Sequence, residues 1–69
     1  MRGLLRQLTA REMDVLKLLA QGRRNGDICR LLCLAPVTVK KHVATIVGKL
    51  GVEDRTQAAL VGASVFGVV

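Results

Sequence analysis

The stretch from Asn25 to Leu50 constrains the fold of this chain more than any other. It contains a short aliphatic pattern, a break at Pro36, and a longer pattern in which apolar residues recur at helical spacing. Proline fits the first position of a helix, where its missing N–H costs nothing. The stretch therefore predicts two helices joined by a tight turn, about Gly26–Cys33 and Pro36–Leu50, with Asn25 as the N-cap of the first.

The longer of these two helices has two chemically different faces. The aliphatic face, which a core would cover, consists of Val39, Val43, Ile46 and Leu50. The opposite face is small or cationic and consists of Val37, Lys40, Lys41, Ala44, Thr45 and Gly48. A helix held by a core on one side and pressed into a nucleic-acid groove on the other needs this layout. His42 flanks the aliphatic face, where a packed histidine is commoner than a ligand.

The charge of the chain favours an anionic partner. Eleven basic residues face five acidic ones, which gives a net charge of +6. No carboxylate occurs between Ile28 and Val52. A polyanion is the natural inference. The alternative is a helical protein-interaction module whose basic face is simply solvated, since many small domains are mildly basic.

Length and composition exclude several classes of protein. With 69 residues the chain forms one small domain, and with Phe66 as its single aromatic residue it favours helix-on-helix packing over a β-sandwich. Too little chain is present for an enzyme cleft, and no cofactor fingerprint occurs, so we expect no enzyme, no cofactor and no small-molecule ligand.

Cys29 and Cys33 are four residues apart in the sequence. On a helix this spacing separates their β-carbons by more than a disulfide allows. No metal-ligand spacing is present, so we interpret both as reduced, buried or half-buried fillers. The start of the chain is too short for a secretory signal, and the apolar tail is too short to span a membrane. We therefore expect a cytoplasmic protein without a membrane partner.

A first helix is predicted over about Ala10–Gln21. Thr9 and Glu12 have the spacing of a capping box at its start, and Gly22 is the expected left-handed stop. Leu8 is expected to pack against the helix. Glu12 lies on the apolar side and therefore needs a partner. Either the capping box alone supplies the hydrogen-bond partners of the Glu12 carboxylate, or a basic residue later in the chain also pairs with it. Arg55 is the candidate for that basic residue.

The last helix is predicted to begin near Arg55, capped by Asp54 with Gln57 closing a second box. It is apolar almost all round, and one neighbouring helix cannot cover such a surface. The simplest partner is a second copy, giving a two-fold dimer; a missing neighbouring domain is the alternative. The predicted dimer residues are Ala59, Leu60, Gly62, Ala63 and Phe66.

Five blocks of the chain, in order, resemble a known family. They are L-T-A-R-E-M-D-V-L-K-L-L-A-Q-G (8–22), N-G-D-I (25–28), P-V-T-V-K-K-H-V (36–43), I-V-G-K-L-G-V (46–52) and R-T-Q-A-A (55–59). Together they are similar to the LuxR/FixJ (NarL)-type helix-turn-helix domain. The resemblance implies an all-α, four-helix fold whose third helix enters the major groove and whose fourth forms a dimer. A region-four-like sigma-factor module shares the helix pair, but the R-T-Q-A-A block and the apolar last helix argue against it.

The resemblance also implies roles for individual residues. Positions facing base edges are Lys40, Lys41 and Ala44, with Val37 alongside. Positions that commonly touch the DNA backbone are Thr38, His42 and Lys49. Structural positions are Glu12, Leu16, Gly22 and Arg55. Arg24 replaces a small polar residue and adds a candidate phosphate contact. Asn25 and Thr45 complete the predicted DNA-binding set.

Two departures from the family pattern matter. Ala35 stands where a serine cap is common, which costs the long helix about 1 kcal/mol. Ala44 cannot hydrogen-bond a base and offers only a contact for a thymine methyl group. Residues 1–8 are expected to be a leader, and residues 9–69 the domain.

Family members usually carry this domain behind a receiver or signal-binding domain, and we expect that domain to be absent from this chain. The chain is thus predicted to be an excised output domain or a free-standing regulator. We expect a sequence-specific, double-stranded-DNA-binding transcription regulator that binds inverted repeats as a homodimer.

Overall fold

The computed structural model of the protein describes residues 5–67. Four helices follow one another after Thr9: α1 (Ala10–Ala20), α2 (Asn25–Leu32), α3 (Pro36–Leu50) and α4 (Arg55–Phe66). No strand occurs within the described range. The axes of α2 and α3 are bent by 110° at their junction, as in helix-turn-helix pairs. The predicted all-α, four-helix, helix-turn-helix architecture is confirmed.

The core lies where α1, α3 and α4 meet, with α2 packed against α3. Its fully buried large side chains are Val15, Leu16, Ile28, Val39 and Ile46. Leu5 and Leu8 are also buried in this cluster, so the predicted packing of Leu8 is confirmed. No single helix within residues 5–67 is long and apolar enough to cross a membrane. Only α2 and α3 counted together reach the length and apolar composition of a membrane span, and that pair is sharply bent.

Local side-chain caps begin two of the four helices. At α1, Glu12 N–H donates to Thr9 Oγ1 at 3.1 Å, and Thr9 N–H donates to Glu12 Oε1 at 2.9 Å, as the capping box predicted. At α4, Asp54 Oδ1 accepts from Gln57 N–H at 3.0 Å. The start of α3 has no side-chain cap, because Ala35 occupies that position.

The predicted N-cap of α2 was wrong by one residue. Asn25 is the first helical residue, and Arg24 occupies the N-cap position. The Arg24 N–H donates to Asp27 Oδ2 at 3.3 Å, which supplies half of a capping box. Asn25 is free of the capping role, and its side chain bonds to another helix.

The first three helices end with the same hydrogen-bonded stop. The N–H groups of Arg23, Leu34 and Val52 each donate to the carbonyl five residues earlier, as in a Schellman motif. The predicted stops Gly22 and Gly51 have φ angles of 80° and 68°. In α2 the left-handed residue is Cys33, with φ 55°, so this helix ends one residue earlier than predicted.

Cys33→Gly is expected to stabilise the domain by roughly 0.5–1 kcal/mol. A left-handed residue with a side chain costs about 1–2 kcal/mol, and the greater flexibility of unfolded glycine offsets about half of that. Urea unfolding would measure the change. Cys29→Ala is a control, because Cys29 lies inside α2 with no positive φ. Loss of stability in Cys33→Gly would contradict this explanation of the turn.

Candidate nucleic-acid interface

The outward face of α3 brings together most of the residues predicted to face bases. Val37, Lys40, Lys41, Ala44 and Thr45 are all exposed. The Thr45 hydroxyl donates to the Lys41 carbonyl at 3.0 Å, one turn earlier. The face is therefore a basic surface with small and apolar side chains, carried by a helix whose other side is buried.

The predicted backbone-contact residues lie at the edge of this face. Thr38 and His42 are both half-buried, so each side chain reaches the surface while resting against the domain. The Thr38 N–H donates to the Ala35 carbonyl at 3.0 Å, in the first turn of α3.

Lys49 has an internal partner. Its Nζ donates to Glu12 Oε1 at 2.7 Å, which joins the end of α3 to the start of α1. The prediction that Arg55 pairs with Glu12 was wrong, since Lys49 is the partner. Only 5% of Glu12 is exposed. Burial raises the pKa of the Glu12 carboxyl, but the bonds from Lys49 and Thr9 outweigh it and hold that pKa below its ordinary value of 4.5.

Arg55 instead joins α4 to the start of α2. Its Nη1 donates to Asn25 Oδ1, and its Nη2 donates to the Arg23 carbonyl at 3.2 Å. Both acceptors are neutral, so neither of them compensates the positive charge of the guanidinium. The Asn25 side chain is held by Arg55, which explains why it does not cap its own helix.

A groove of about 270 Å³ opens beside this junction. Its lining combines an apolar floor with three arginines: Leu19, Gly22, Arg23, Arg24, Arg55, Thr56 and Ala59. The sequence pointed to Arg24 but missed Arg23 and Thr56. The signal for Arg23 was the adjacent pair of arginines just before α2, whereas Thr56 is brought in by the folding of α4 against α1.

The basic residues of these surfaces are not neutralised within the described part of the chain. The ion pairs found there join Arg11 to Asp14, Arg30 to Asp27 and Lys49 to Glu12. None of them involves the cations of the α3 face or of the groove: Lys40, Lys41, Arg23, Arg24 and Arg55. The α3 face and the groove thus both carry uncompensated positive charge, which is the electrostatic requirement for holding a polyanion.

The predicted dimer residues divide into two groups. Gly62 is buried, and a Cβ atom there would lie 3.1 Å from Leu16 Cδ1 and 3.2 Å from Ala20 Cβ. The prediction that Gly62 lies on a dimer surface was wrong. Because Gly62 has no side chain, α4 can approach α1 of the same chain closely at this point. Leu60 is 66% exposed, and Ala59 and Ala63 are half-buried. Phe66 is half-buried, with Lys17 Nζ 5.5 Å from its ring centre.

The cysteines and the other ligand types form no metal site in the part of the chain that the structure describes. Cys29 and Cys33 are both free thiols. Cys29 is half-buried, as predicted for a filler. Cys33 is exposed, contrary to the prediction, because its left-handed conformation places it outside α2.

Comparison with known families decides the relationship. Residues 6–61 match the family described as bacterial regulatory proteins, luxR family. The chain belongs to the LuxR family. It is a helix-turn-helix domain of the kind that binds DNA in bacterial transcription regulators, and the structural positions Glu12, Leu16 and Gly22 occupy the capping box, the core and the helix stop of this LuxR-family domain.

Relatives of this LuxR-family domain are bacterial regulators. The chain is 52% identical over 54 residues to the uncharacterised transcriptional regulatory protein YhcZ of Bacillus subtilis, covering 78% of this chain and 25% of that protein. It is 47% identical over 66 residues to the transcriptional regulatory protein LnrK of Bacillus subtilis, covering 90% and 30%. It is 46% identical over 57 residues to the response regulator protein VraR of Staphylococcus aureus, covering 83% and 27%. The chain therefore spans a quarter to three tenths of the length of these relatives.

Proposed function

We propose that this LuxR-family domain binds a specific double-stranded DNA operator as a homodimer and acts as the output domain of a response regulator. The observation that carries the proposal is the exposed α3 face with Lys40 and Lys41, in a stretch without carboxylates from Ile28 to Val52. The names of the relatives, which include a response regulator, support the regulatory assignment.

Sequence selection is assigned to the two lysines of the α3 face. An ammonium group donates hydrogen bonds and accepts none, and in the major groove it favours O6 and N7 of guanine. Lys40 and Lys41 are exposed on the outer side of a helix whose inner side is buried. The core thus fixes which side of the helix carries both lysines.

Phosphate binding is assigned to the arginine groove and to the edge of α3. Arg23 and Arg24 are exposed beside the positive charge of Arg55, and the Thr56 hydroxyl lies in the same groove. Thr38, His42 and Asn25 remain further candidates. Lys49 is a weaker candidate than its sequence position suggested, because Glu12 already compensates its charge.

Dimerisation is assigned to the outer face of α4. Leu60 projects there with Ala63 one turn away, and Ala59 and Phe66 lie at the margins. A leucine with two thirds of its surface exposed, followed one turn later by the small side chains of Ala63 and Ser64, favours close approach of a second helix. A two-fold pair would present two α3 helices to half-sites about one turn of DNA apart.

The dependence of binding on salt tests whether the basic surfaces hold phosphates. Each phosphate neutralised contributes a slope of about −0.9 to log K against log salt concentration. Replacing Arg23 and Arg24 by glutamine is expected to flatten the slope by nearly two units per protomer and to weaken binding to operator and random duplexes alike. Fluorescence anisotropy of labelled duplexes measures both quantities.

The matched control for this experiment is Arg11→Gln. Arg11 lies on α1, is paired with Asp14, and takes no part in the groove. A wild-type domain that binds no duplex at low salt would contradict the proposed function and favour a protein-interaction module. A slope that is unchanged in the double variant would contradict the groove assignment alone.

A further inference from the structure

The outward face of α3 lacks hydrogen-bond acceptors of the kinds that read adenine or cytosine. No Asn, Gln, Asp or Glu occurs from Pro36 to Leu50. Lys40 and Lys41 can only donate hydrogen bonds. The one hydroxyl of the exposed face, that of Thr45, donates its hydrogen to the Lys41 carbonyl, which leaves its oxygen as the single side-chain acceptor of the face. The face therefore addresses acceptor atoms of the major groove far better than donor atoms.

This chemistry divides the base pairs into two groups. Guanine presents the O6 and N7 acceptors that lysine prefers. The exocyclic amino groups of adenine and cytosine are donors that an amide or carboxylate side chain reads best, and α3 has neither. An A·T pair still offers one further feature in the major groove, the C5 methyl group of thymine. The acceptors of an A·T pair, adenine N7 and thymine O4, have counterparts in guanine N7 and O6, so a donor alone does not single out an A·T pair; the C5 methyl group does.

Val37 is the side chain best placed for such a contact. It is 69% exposed, more than any other large apolar residue between positions 5 and 67. It lies in the first turn of α3, and Lys40 and Lys41 follow it at the spacing that places all three on one side of a helix. Ala35 and Pro36 beside it are also exposed, so the leading end of α3 is a bare apolar tip.

Ala44 extends the same apolar surface along the helix. It lies seven residues after Val37, two turns further on, and is exposed as well. Lys40 and Lys41 lie between these two residues in the sequence. The face thus presents a methyl-bearing side chain on either side of the lysine pair.

We propose that Val37, extended by Ala44, recognises thymine through its C5 methyl group, while Lys40 and Lys41 recognise guanine. The inference rests on the proposed DNA-binding function and specifies which bases that function selects. In each half-site, the thymine methyl groups face the apolar tip and the third turn of α3, and the guanines lie between them.

Removing only the methyl groups of the operator tests this proposal. The operator is first obtained by selection from a random duplex pool, and each thymine is then replaced by deoxyuridine, which keeps every hydrogen-bonding group. At the position facing Val37, binding is expected to weaken about fourfold for one half-site and about 15-fold for both, the effect of burying one methyl group at each. Cytosine at that position should bind weakly, and 5-methylcytosine should recover about fourfold.

A variant of the protein makes the assignment specific to Val37. In Val37→Ala the deoxyuridine effect is expected to fall below about 1.5-fold, because both γ-methyl groups, which extend furthest from the helix, are removed. Alanine favours helix more than valine does, so the fold is retained. Leu31→Ala is the matched control, since Leu31 is a 55% exposed apolar residue on α2, and it should keep the full deoxyuridine effect.

The outcomes separate this inference from the proposed function. Absence of any enriched sequence would overturn the proposed function, and the thymine assignment would fall with it. Enrichment of a site whose affinity is unaffected by deoxyuridine at every thymine would overturn the thymine assignment while the function stands. A deoxyuridine effect of equal size in wild type and Val37→Ala would also overturn it.

Discussion

Alanine at Lys41 is expected to remove most of the ability of the domain to distinguish its operator from random DNA. Specific sites are typically bound about 10³-fold or more tightly than random sequence, and the ratio depends on contacts to base edges. Lys41 is exposed, forms no ion pair within the described residues, and offers the only kind of group on the α3 face that can bond guanine. The preference for operator over random DNA should fall by about tenfold or more for each half-site, and Lys40→Ala combined with it should leave only the discrimination that the thymine contacts supply.

Lys17→Ala is the control for this loss, because it removes the same charge from α1. Lys17 contacts the Phe66 ring and has no place on the α3 face. We expect it to leave the operator-to-random ratio unchanged while weakening both affinities slightly. If Lys40 and Lys41 could both be replaced without changing operator affinity, the assignment of α3 to the major groove would be wrong.

Alanine at Lys49 is expected to destabilise the fold by roughly 2–3 kcal/mol. Removing one member of a buried pair leaves an uncompensated charge, which typically costs 3–5 kcal/mol, and Lys49 is partly exposed, which reduces the effect. Urea unfolding measures the change. Replacing both residues, as Glu12→Gln with Lys49→Met, should restore part of the stability, because no buried charge then remains.

The same experiment separates two roles of Lys49. A purely structural role predicts loss of stability with the salt dependence of DNA binding nearly unchanged. A role as a phosphate contact predicts unchanged stability and a salt slope flatter by about one unit. The second pattern would contradict the importance of the ion pair.

The Glu12 carboxyl should also make the stability of the domain depend on pH. Its pKa is lower in the folded chain than the ordinary value of 4.5, despite burial, because Lys49 and Thr9 stabilise the ionised form. The stabilisation is therefore present above pH 4.5 and is lost as the pH falls through the lower folded pKa. In Glu12→Gln, the loss of stability that comes from protonating this carboxyl should be absent. Urea unfolding at a series of acidic pH values measures it.

Local patterns were sufficient to predict the helices and the α3 face. The apolar period fixed which side of α3 is buried, and the capping box and the glycine stops fixed the ends of α1. These features depend on residues within a few positions of each other, so sequence alone reveals them.

Contacts between distant segments could not be predicted in the same way. Lys49 and Glu12 are 37 positions apart, and nothing in the local spacing distinguishes Lys49 from Arg55 as the partner. Gly62 looked like one of several small residues on α4, and only the approach of Leu16 shows that it serves the core. Cys33 takes a left-handed conformation that its residue type does not favour.

Selection of bound sequences from a random duplex pool, with the wild-type chain, tests the central claim most directly. We predict an enriched inverted repeat, with half-sites about one helical turn apart. Within each half-site, we expect guanines and thymines at the positions that α3 contacts in the major groove. Enrichment of a single, non-repeated site would contradict the dimer. A pool that shows no enrichment after repeated rounds would contradict sequence-specific DNA binding itself.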